Sequence, residues 1–322
     1  MGMKDLAQNQ WYPLFQSREL TQAPRRFTRF GEDYVAFRTA EGQPVMMADR
    51  CPHLGASLSL GRRSGDRLVC PFHGFEFAAD GQCRHIPARG PDGPIPGALR
   101  NQTIPLTESW GLIFGWWGPG AMKPMSPPNL EAFDAGWHYS EISDLWPVHL
   151  TRAIENQLDV AHLPFVHRRS IGRGLDPQIR ALKVESEETE IRIWSGHRRA
   201  SVSIDPPPDK EDPPGIVFVY PGLWQLRIHQ QLRLVVAFVP VSDQATRFYV
   251  RSCRRRSYGL LNPWVSWLFG LANRWVLGED RKVVSSLTPS SSLDAKDVLL
   301  DADRAILEFR RNWRRLRDAD NS

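Results

Sequence analysis

Two short stretches fix what the first third of this chain must build. Cys51-Pro52-His53 is followed, after sixteen residues, by Cys70-Pro71-Phe72-His73. Two cysteines and two histidines in two short loops form a metal-binding pattern. Zinc fingers pair like with like, Cys with Cys and His with His. Here each loop supplies one of each, so both loops must serve a single site. Pro52 and Pro71 stiffen the loops. Gly55 and Gly74 allow tight turns and let backbone N–H groups approach the sulfurs. Cys83 and Cys253 lie in no such motif and read as plain thiols.

The mixed ligand set suits a two-iron cluster in which one iron takes two thiolates and the other two imidazoles, the Rieske [2Fe–2S] arrangement. A structural zinc site is the alternative. The stretch resembles Rieske proteins but departs from the respiratory-complex type. In that type two further cysteines bridge the cluster loops and a serine hydrogen-bonds the cluster. Ala56, Phe72 and Phe75 stand at those places here. Fewer hydrogen bonds to the cluster stabilise its reduced form less, which implies a low, ferredoxin-like potential.

The remaining chain is long enough for a second domain. The 322 residues amount to about two domains at ~150 residues each. Residues 1–118 read as an all-β domain, with short strands at 34–38, 44–47, 68–70 and 112–116 between Gly-rich turns. Residues 119–135 form a Pro-rich connector. Residues 136–322 mix helices, at 150–162 and 294–317, with strands at 189–195, 216–220, 223–230, 232–241 and 246–254. The fold class is therefore α+β. The insert 204–215 is a polar, Pro-rich loop. Residues 263–280 are aromatic-rich and are expected to form a helix buried against the sheet, with a membrane-surface patch at Trp264, Trp267, Leu268 and Phe269 as the alternative.

Composition excludes several classes. With 41% apolar and 24% charged residues the chain is not wholly disordered, and four cysteines cannot make a disulfide scaffold. No run of ~18 apolar residues suggests a spanning helix. The start, MGMKDLAQNQ, is expected to carry no secretory signal, and Leu6 breaks a myristoylation pattern, so the cytoplasm is the default compartment. The net charge of +5 sits in local arginine clusters such as Arg25-Arg26, Arg198-Arg199, Arg254–Arg256 and the tail from Arg304 to Arg317. These lack the interleaved aromatics of a nucleic-acid surface, so no nucleic-acid partner is expected, while an acidic protein partner is compatible with them.

A second constellation follows in the α-rich half. Asn156, Asp159, His162 and His167 form N-x-x-D-x-x-H-x₄-H. The Asp159–His162 spacing predicts one shared helix face. Pro164 forces the chain to turn, which can return His167 beside His162. Two imidazoles at a helix end are half of a mononuclear site, which a carboxylate completes for non-haem Fe(II). Asp280 or Glu279 is the candidate third ligand. Asp280 is preferred and is expected to open a helix. A carboxylate beside a ligand histidine, as Asp159 is here, orients its ring.

With both constellations in hand, the whole chain resembles the α (terminal oxygenase) subunit of a Rieske non-haem iron oxygenase. The resemblance implies a C-terminal helix-grip domain, a curved antiparallel sheet on a long helix. It implies a [2Fe–2S] cluster on Cys51, His53, Cys70 and His73, and Fe(II) on His162, His167 and Asp280. Asn156 would lie near the iron. The resemblance further implies a head-to-tail homotrimer in which Asp159 joins His162 to a cluster histidine, His73, of the next subunit. Family members often follow the late acid with Gln; Ser285-Ser286 fill that region here. No G-x-G-x-x-G follows a strand, so electrons from NAD(P)H would arrive through a separate reductase, ferredoxin or both. With O2 as co-substrate, the chain would hydroxylate or demethylate an apolar, aromatic or polycyclic small molecule. Its shortness leans toward monooxygenation rather than cis-dihydroxylation. A Rieske electron carrier and an apolar-ligand-binding protein are the readings from other classes.

Overall fold

The computed structural model describes residues 3–126, 128, 130–179, 181–196, 213–255 and 262–318. The chain forms two compact units. One comprises residues 3–4, 11–122 and 240–242, and the other 5–10, 123–239 and the chain from 243 onward. Arg198, Arg199, Arg256 and most of the Pro-rich insert 204–215 lie outside the described residues.

The first unit is built from short strands: β1 (Gln10–Gln16), β2 (Arg25–Arg29), β3 (Glu32–Arg38), β4 (Pro44–Ala48), β5 (Arg62–Ser64), β6 (Arg67–Val69), β7 (Glu76–Phe77), β8 (Cys83–His85), β9 (Leu106–Ser109) and β10 (Leu112–Trp117). They pair into three small sheets, β1-β10-β9, β2-β3-β4 and β5-β6-β7-β8. Alternating apolar side chains of β3 and β4 (Val35, Phe37, Val45 and Met47) meet Leu68 and Phe77 in one fully buried cluster that also takes in Cys51 and Cys70. The two cysteine loops therefore grow directly out of a packed core. Replacing a residue such as Phe77 by Ala costs about 3–5 kcal/mol in such a setting.

The second unit centres on a seven-stranded antiparallel sheet, ordered β11-β17-β16-β15-β14-β13-β12. Its strands are β11 (His138–Trp146), β12 (Ala181–Ser186), β13 (Glu190–Gly196), β14 (Ile216–Val219), β15 (Leu223–His229), β16 (Leu232–Ser242) and β17 (Ala245–Arg254). Helices α1 (Leu150–Leu158), α2 (Leu163–Val166), α3 (Asn262–Val284) and α4 (Arg304–Asp318) complete it. This is the expected α+β class.

Three local expectations are corrected. The helix read at 150–162 ends at Leu158, because Asp159 caps it in an extended conformation and Pro164 sits in the first turn of the next helix. The terminal helix starts at Arg304 rather than 294; single 3₁₀ turns at Ser292–Asp294 and Asp301–Asp303 precede it. The aromatic helix α3 packs on β11, but not by its aromatics. Its inner face is Gly270, Leu277, Asp280 and Val284, while Trp264 (68% exposed), Trp267 (56%), Leu268, Leu271 and Trp275 (58%) face solvent. Gly270 allows the close approach, since a Cβ there would stand 3.3 Å from Ile142.

Candidate metal centres

The two cysteine loops are near copies of one another. In each, the cysteine carbonyl accepts a hydrogen bond from the glycine four residues on (Gly55 to Cys51, 2.9 Å; Gly74 to Cys70, 3.0 Å). The cysteine N–H closes the loop to a carbonyl five residues on (Ala56 and Phe75, both 2.8 Å). Gly55 and Gly74 sit at φ of +79° and +71°, where side chains are strained, and a Cβ would also crowd Arg50 and Pro87 respectively. Cys51 and Cys70 are buried, whereas His53 and His73 stand exposed at the loop tips with ring centroids 4.8 Å apart. Phe75 stacks on His53 at 4.7 Å.

The donors fit a cluster with two thiolates inward and two imidazoles outward. Cys51 and Cys70 lie within hydrogen-bonding reach of each other and form no disulfide. Burial pushes the Cys51 thiol up to about 11, and Cys70 beside it adds to the rise. A bound cation reverses that balance and stabilises both thiolates. Cys83 and Cys253 are buried thiols, also pushed up by burial.

In the second unit, α1 is tied down by charge. Glu155 accepts hydrogen bonds from Arg310 of α4 at 2.7 and 2.9 Å, and Asp297 links Arg310 and Arg152 at 2.7 and 3.0 Å. After α1 the chain makes a short turn in which Ala161 N–H donates to Asp159 Oδ1 at 2.6 Å. Asp159 and His162 therefore do not share a helix: one ends α1 and the other starts α2. The turn nevertheless brings Asp159 Oδ2 to 3.6 Å from His162 Nδ1. Burial alone would raise the Asp159 carboxyl, but the adjacent His162 ring and the Ala161 and His162 N–H groups hold it below its ordinary value. A tight turn after α2 returns His167: Ser170 and Gly172 N–H both donate to its carbonyl. Gly172 has no substitute there, because a Cβ would sit 2.0 Å from the Leu163 carbonyl oxygen.

His162 and His167 converge on one carboxylate. Asp280 Oδ1 lies 3.0 Å from His167 Nε2 and 3.5 Å from His162 Nε2, and ligand atoms of these three residues all lie within 4.8 Å of one another. Asp280 does not open a helix as expected; it sits near the end of α3, on the buried face, so no helix N-terminus supports its charge. Asp280 Oδ1 is buried and, among the described residues, meets no donor beyond the His167 and His162 rings. A buried carboxylate oxygen left unpaired is costly, and a cation shared with two imidazoles relieves it. Ligand atoms ~2.1 Å from one metal and at right angles stand ~3.0 Å apart, so the residues present fit a mononuclear metal. Asn156 lies in the last turn of α1 with its buried Nδ2 unbonded.

Glu279, the alternative third ligand in the sequence, stands at the other side of His167. It competed with Asp280 as third ligand, but its Oε2 bonds His167 Nδ1 at 2.9 Å and accepts the Ser170 hydroxyl at 2.5 Å. Burial lowers His167, yet Asp280 and Glu279 at its two nitrogens overcome this and raise it above an ordinary histidine. Glu279 itself is lowered, its bonds to Ser170 and His167 outweighing burial.

Comparison with known proteins gives the family. Residues 10–105 match the family model of the Rieske [2Fe-2S] domain, and residues 146–319 that of the vanillate O-demethylase oxygenase C-terminal domain. The chain is 34% identical over 196 residues to the oxygenase component of chloroacetanilide N-alkylformylase from Rhizorhabdus wittichii, covering 58% of this chain and 54% of that protein. Against aminopyrrolnitrin oxygenase PrnD of Pseudomonas fluorescens it is 27% identical, covering 94% of this chain and 90% of the other. The chain spans about half or less of the length of several other curated relatives it matches. The fold superposes on the crystal structure of dicamba monooxygenase bound to 3,6 dichlorosalicylic acid with a TM-score of 0.80 at 20% identity, over 100% of both chains. A Rieske domain implies the [2Fe–2S] cluster, and the domain after it is of the oxygenase kind that uses mononuclear non-haem iron and O2. On these matched domains and their order, the chain belongs to the Rieske non-haem iron oxygenases.

Proposed function

We propose that this chain is the terminal component of a monooxygenase or demethylase that acts on an apolar, aromatic or polycyclic small molecule. The observation that carries the reading is the convergence of His162, His167 and Asp280 on one buried point, in a domain of the vanillate O-demethylase type. The names of the relatives above, an N-alkylformylase and an aminopyrrolnitrin oxygenase, favour oxidation of substituted arenes and removal of small alkyl groups over ring dihydroxylation.

Cys51 and Cys70 would hold one iron of the cluster, and His53 and His73 the other. His162, His167 and Asp280 would hold the mononuclear iron on one side and leave its other side open. When bound, the two centres supply one-electron storage and dioxygen activation. Asp159 keeps one oxygen on Ala161 N–H and turns the other toward His162, which suits it to join that ring to His73 of a neighbouring subunit in a head-to-tail trimer. Asn156 would offer its unbonded amide near the metal. The overall balance is substrate C–H plus O2, two electrons and two protons giving C–OH and water. At an O- or N-methyl group the hydroxylated carbon then leaves as formaldehyde. The electrons would come from NAD(P)H through a separate reductase, ferredoxin or both. Phe75, stacked on His53 in place of a hydroxyl, supports a low cluster potential. A cytoplasmic location is part of the same proposal; among the described residues no helix is long and apolar enough to cross a membrane.

The reading is tested by iron counting and oxygen uptake on purified protein. About three irons per chain are expected, against about two for a simple electron carrier. Substrate-dependent oxygen consumption with a generic reductase is expected somewhere in a panel of aromatic acids, methoxyarenes, steroids and alkaloid-like amines. Two irons per chain, or bound zinc, would refute it.

A further inference from the structure

The two histidines offer Nε2 to the same carboxylate, yet their outer nitrogens are held differently. His162 Nδ1 is buried, makes no hydrogen bond and stands 3.6 Å from Asp159. His167 Nδ1 is bonded to Glu279 at 2.9 Å, and Glu279 is fixed in turn by the Ser170 hydroxyl. A carboxylate only accepts, so the Glu279 contact needs a proton on His167 Nδ1, and a metal held at Nε2 leaves that as the ring's one N–H. We propose that Glu279 is the positioning residue of the metal site. It sets the tautomer and orientation of His167. The proposal rests on the reading of His162, His167 and Asp280 as an iron site.

The geometry gives Glu279 this role through its neighbour. Glu279 and Asp280 are adjacent on α3 and point about 100° apart. One turn of one helix therefore addresses both ends of a single imidazole: Asp280 at Nε2 (3.0 Å) and Glu279 at Nδ1 (2.9 Å). Ser170, three residues past His167, closes the loop from the other side, so ring, turn and helix are locked together. Among the described residues His162 Nδ1 has no contact as short. Asp159 lies in the turn after α1 with one oxygen committed to backbone, and its distance to His162 exceeds a hydrogen bond. An ion pair that merely fastens α3 to the 167–170 turn would show the same contact. The two roles differ in what they do to a bound metal.

The test uses the full chain with its Rieske cluster intact, mononuclear iron removed and Co(II) added. Cobalt affinity and the visible d–d spectrum are measured for the parent protein, Glu279→Ala, Glu279→Gln and Ser170→Ala. Glu279→Ala is expected to weaken cobalt binding about 10–100-fold and to shift the d–d bands. Glu279→Gln, which keeps an acceptor oxygen for the ring N–H, should recover part of that loss. Ser170→Ala should give a smaller shift in the same direction. Cluster EPR should be the same in all four. Binding within about twofold of the parent with an unchanged spectrum in Glu279→Ala would overturn the positioning role. If that variant does not fold, an unchanged affinity and spectrum in both Glu279→Gln and Ser170→Ala would overturn it equally. Failure of the parent itself to bind cobalt at this site would instead remove the iron-site reading on which the proposal stands.

Discussion

Asp159 has one oxygen on backbone and one facing a histidine, which separates its role from metal holding. Asp159→Asn keeps the shape and the acceptor for Ala161 N–H but removes the charge and the second acceptor oxygen. It should retain about three irons per chain while steady-state turnover falls at least ~100-fold, as inactive but metal-loaded protein. Iron analysis beside turnover checks this, and unimpaired oxidation of the mononuclear iron in a single turnover would refute it. The residues of the candidate metal sites were legible because their signals are short-ranged: two Cys/His loops, and two histidines around Pro164. Glu279 was seen but not understood. Its partner is 112 residues away, so nothing local told it from Asp280. The adjacency of two acids late in the chain was the only hint that both could serve one imidazole.

At the scale of the element, α1 is placed by buried charge. Arg152, Glu155 and Arg310 are nearly wholly enclosed, and Asp297 at their rim completes the set. Burial would raise the Asp297 carboxyl, but its bonds to Arg310 and Arg152 hold it below the ordinary value of 3.8. A carboxyl depressed in the folded state stabilises above its unfolded value and loses that contribution as pH falls through the lower folded one. Because Asp297 is exposed to screening water, Asp297→Asn should cost only about 0.5–1 kcal/mol at pH 7, and the difference from the parent should shrink below pH ~4. Urea midpoints at the two pH values check it; a constant difference would refute it. No sequence pattern reveals such a network, because its members come from α1, a connecting segment and α4. Five of the seven strands of the large sheet were readable, since β-branched and aromatic runs bounded by turn residues are local signals, but the two edge strands β11 and β12, which carry more polar residues, were not. The orientation of α3 was not. Its aromatic spacing argued for a core face, but Gly270 allows close approach to β11 and Asp280 meets the two histidines, so the small and polar side faces inward.

Across the whole molecule, the two units are not successive blocks of chain. Residues 5–10 belong to the unit that carries α4. Trp313 Nε1 donates to the Asp5 carbonyl at 2.7 Å, Ser291 bonds the Asp5 carboxylate at 2.6 Å, and Gln8 N–H donates to the Leu316 carbonyl at 3.1 Å. Leu6 and Ala7 are fully buried between these contacts in sequence. Leu6→Ala should cost about 2–5 kcal/mol, read as a fall in the melting temperature of the second unit rather than of the cluster-bearing one. Calorimetry followed beside cluster absorbance separates the two. The outward aromatic side of α3 gives the folded protein an unusual optical character. Trp264, Trp267 and Trp275 emit into water while residues such as Trp146 and Trp313 emit from the interior. Native fluorescence is therefore already partly red-shifted and open to collisional quenchers. Whatever comes to cover that helix would announce itself as a blue shift, with no label attached.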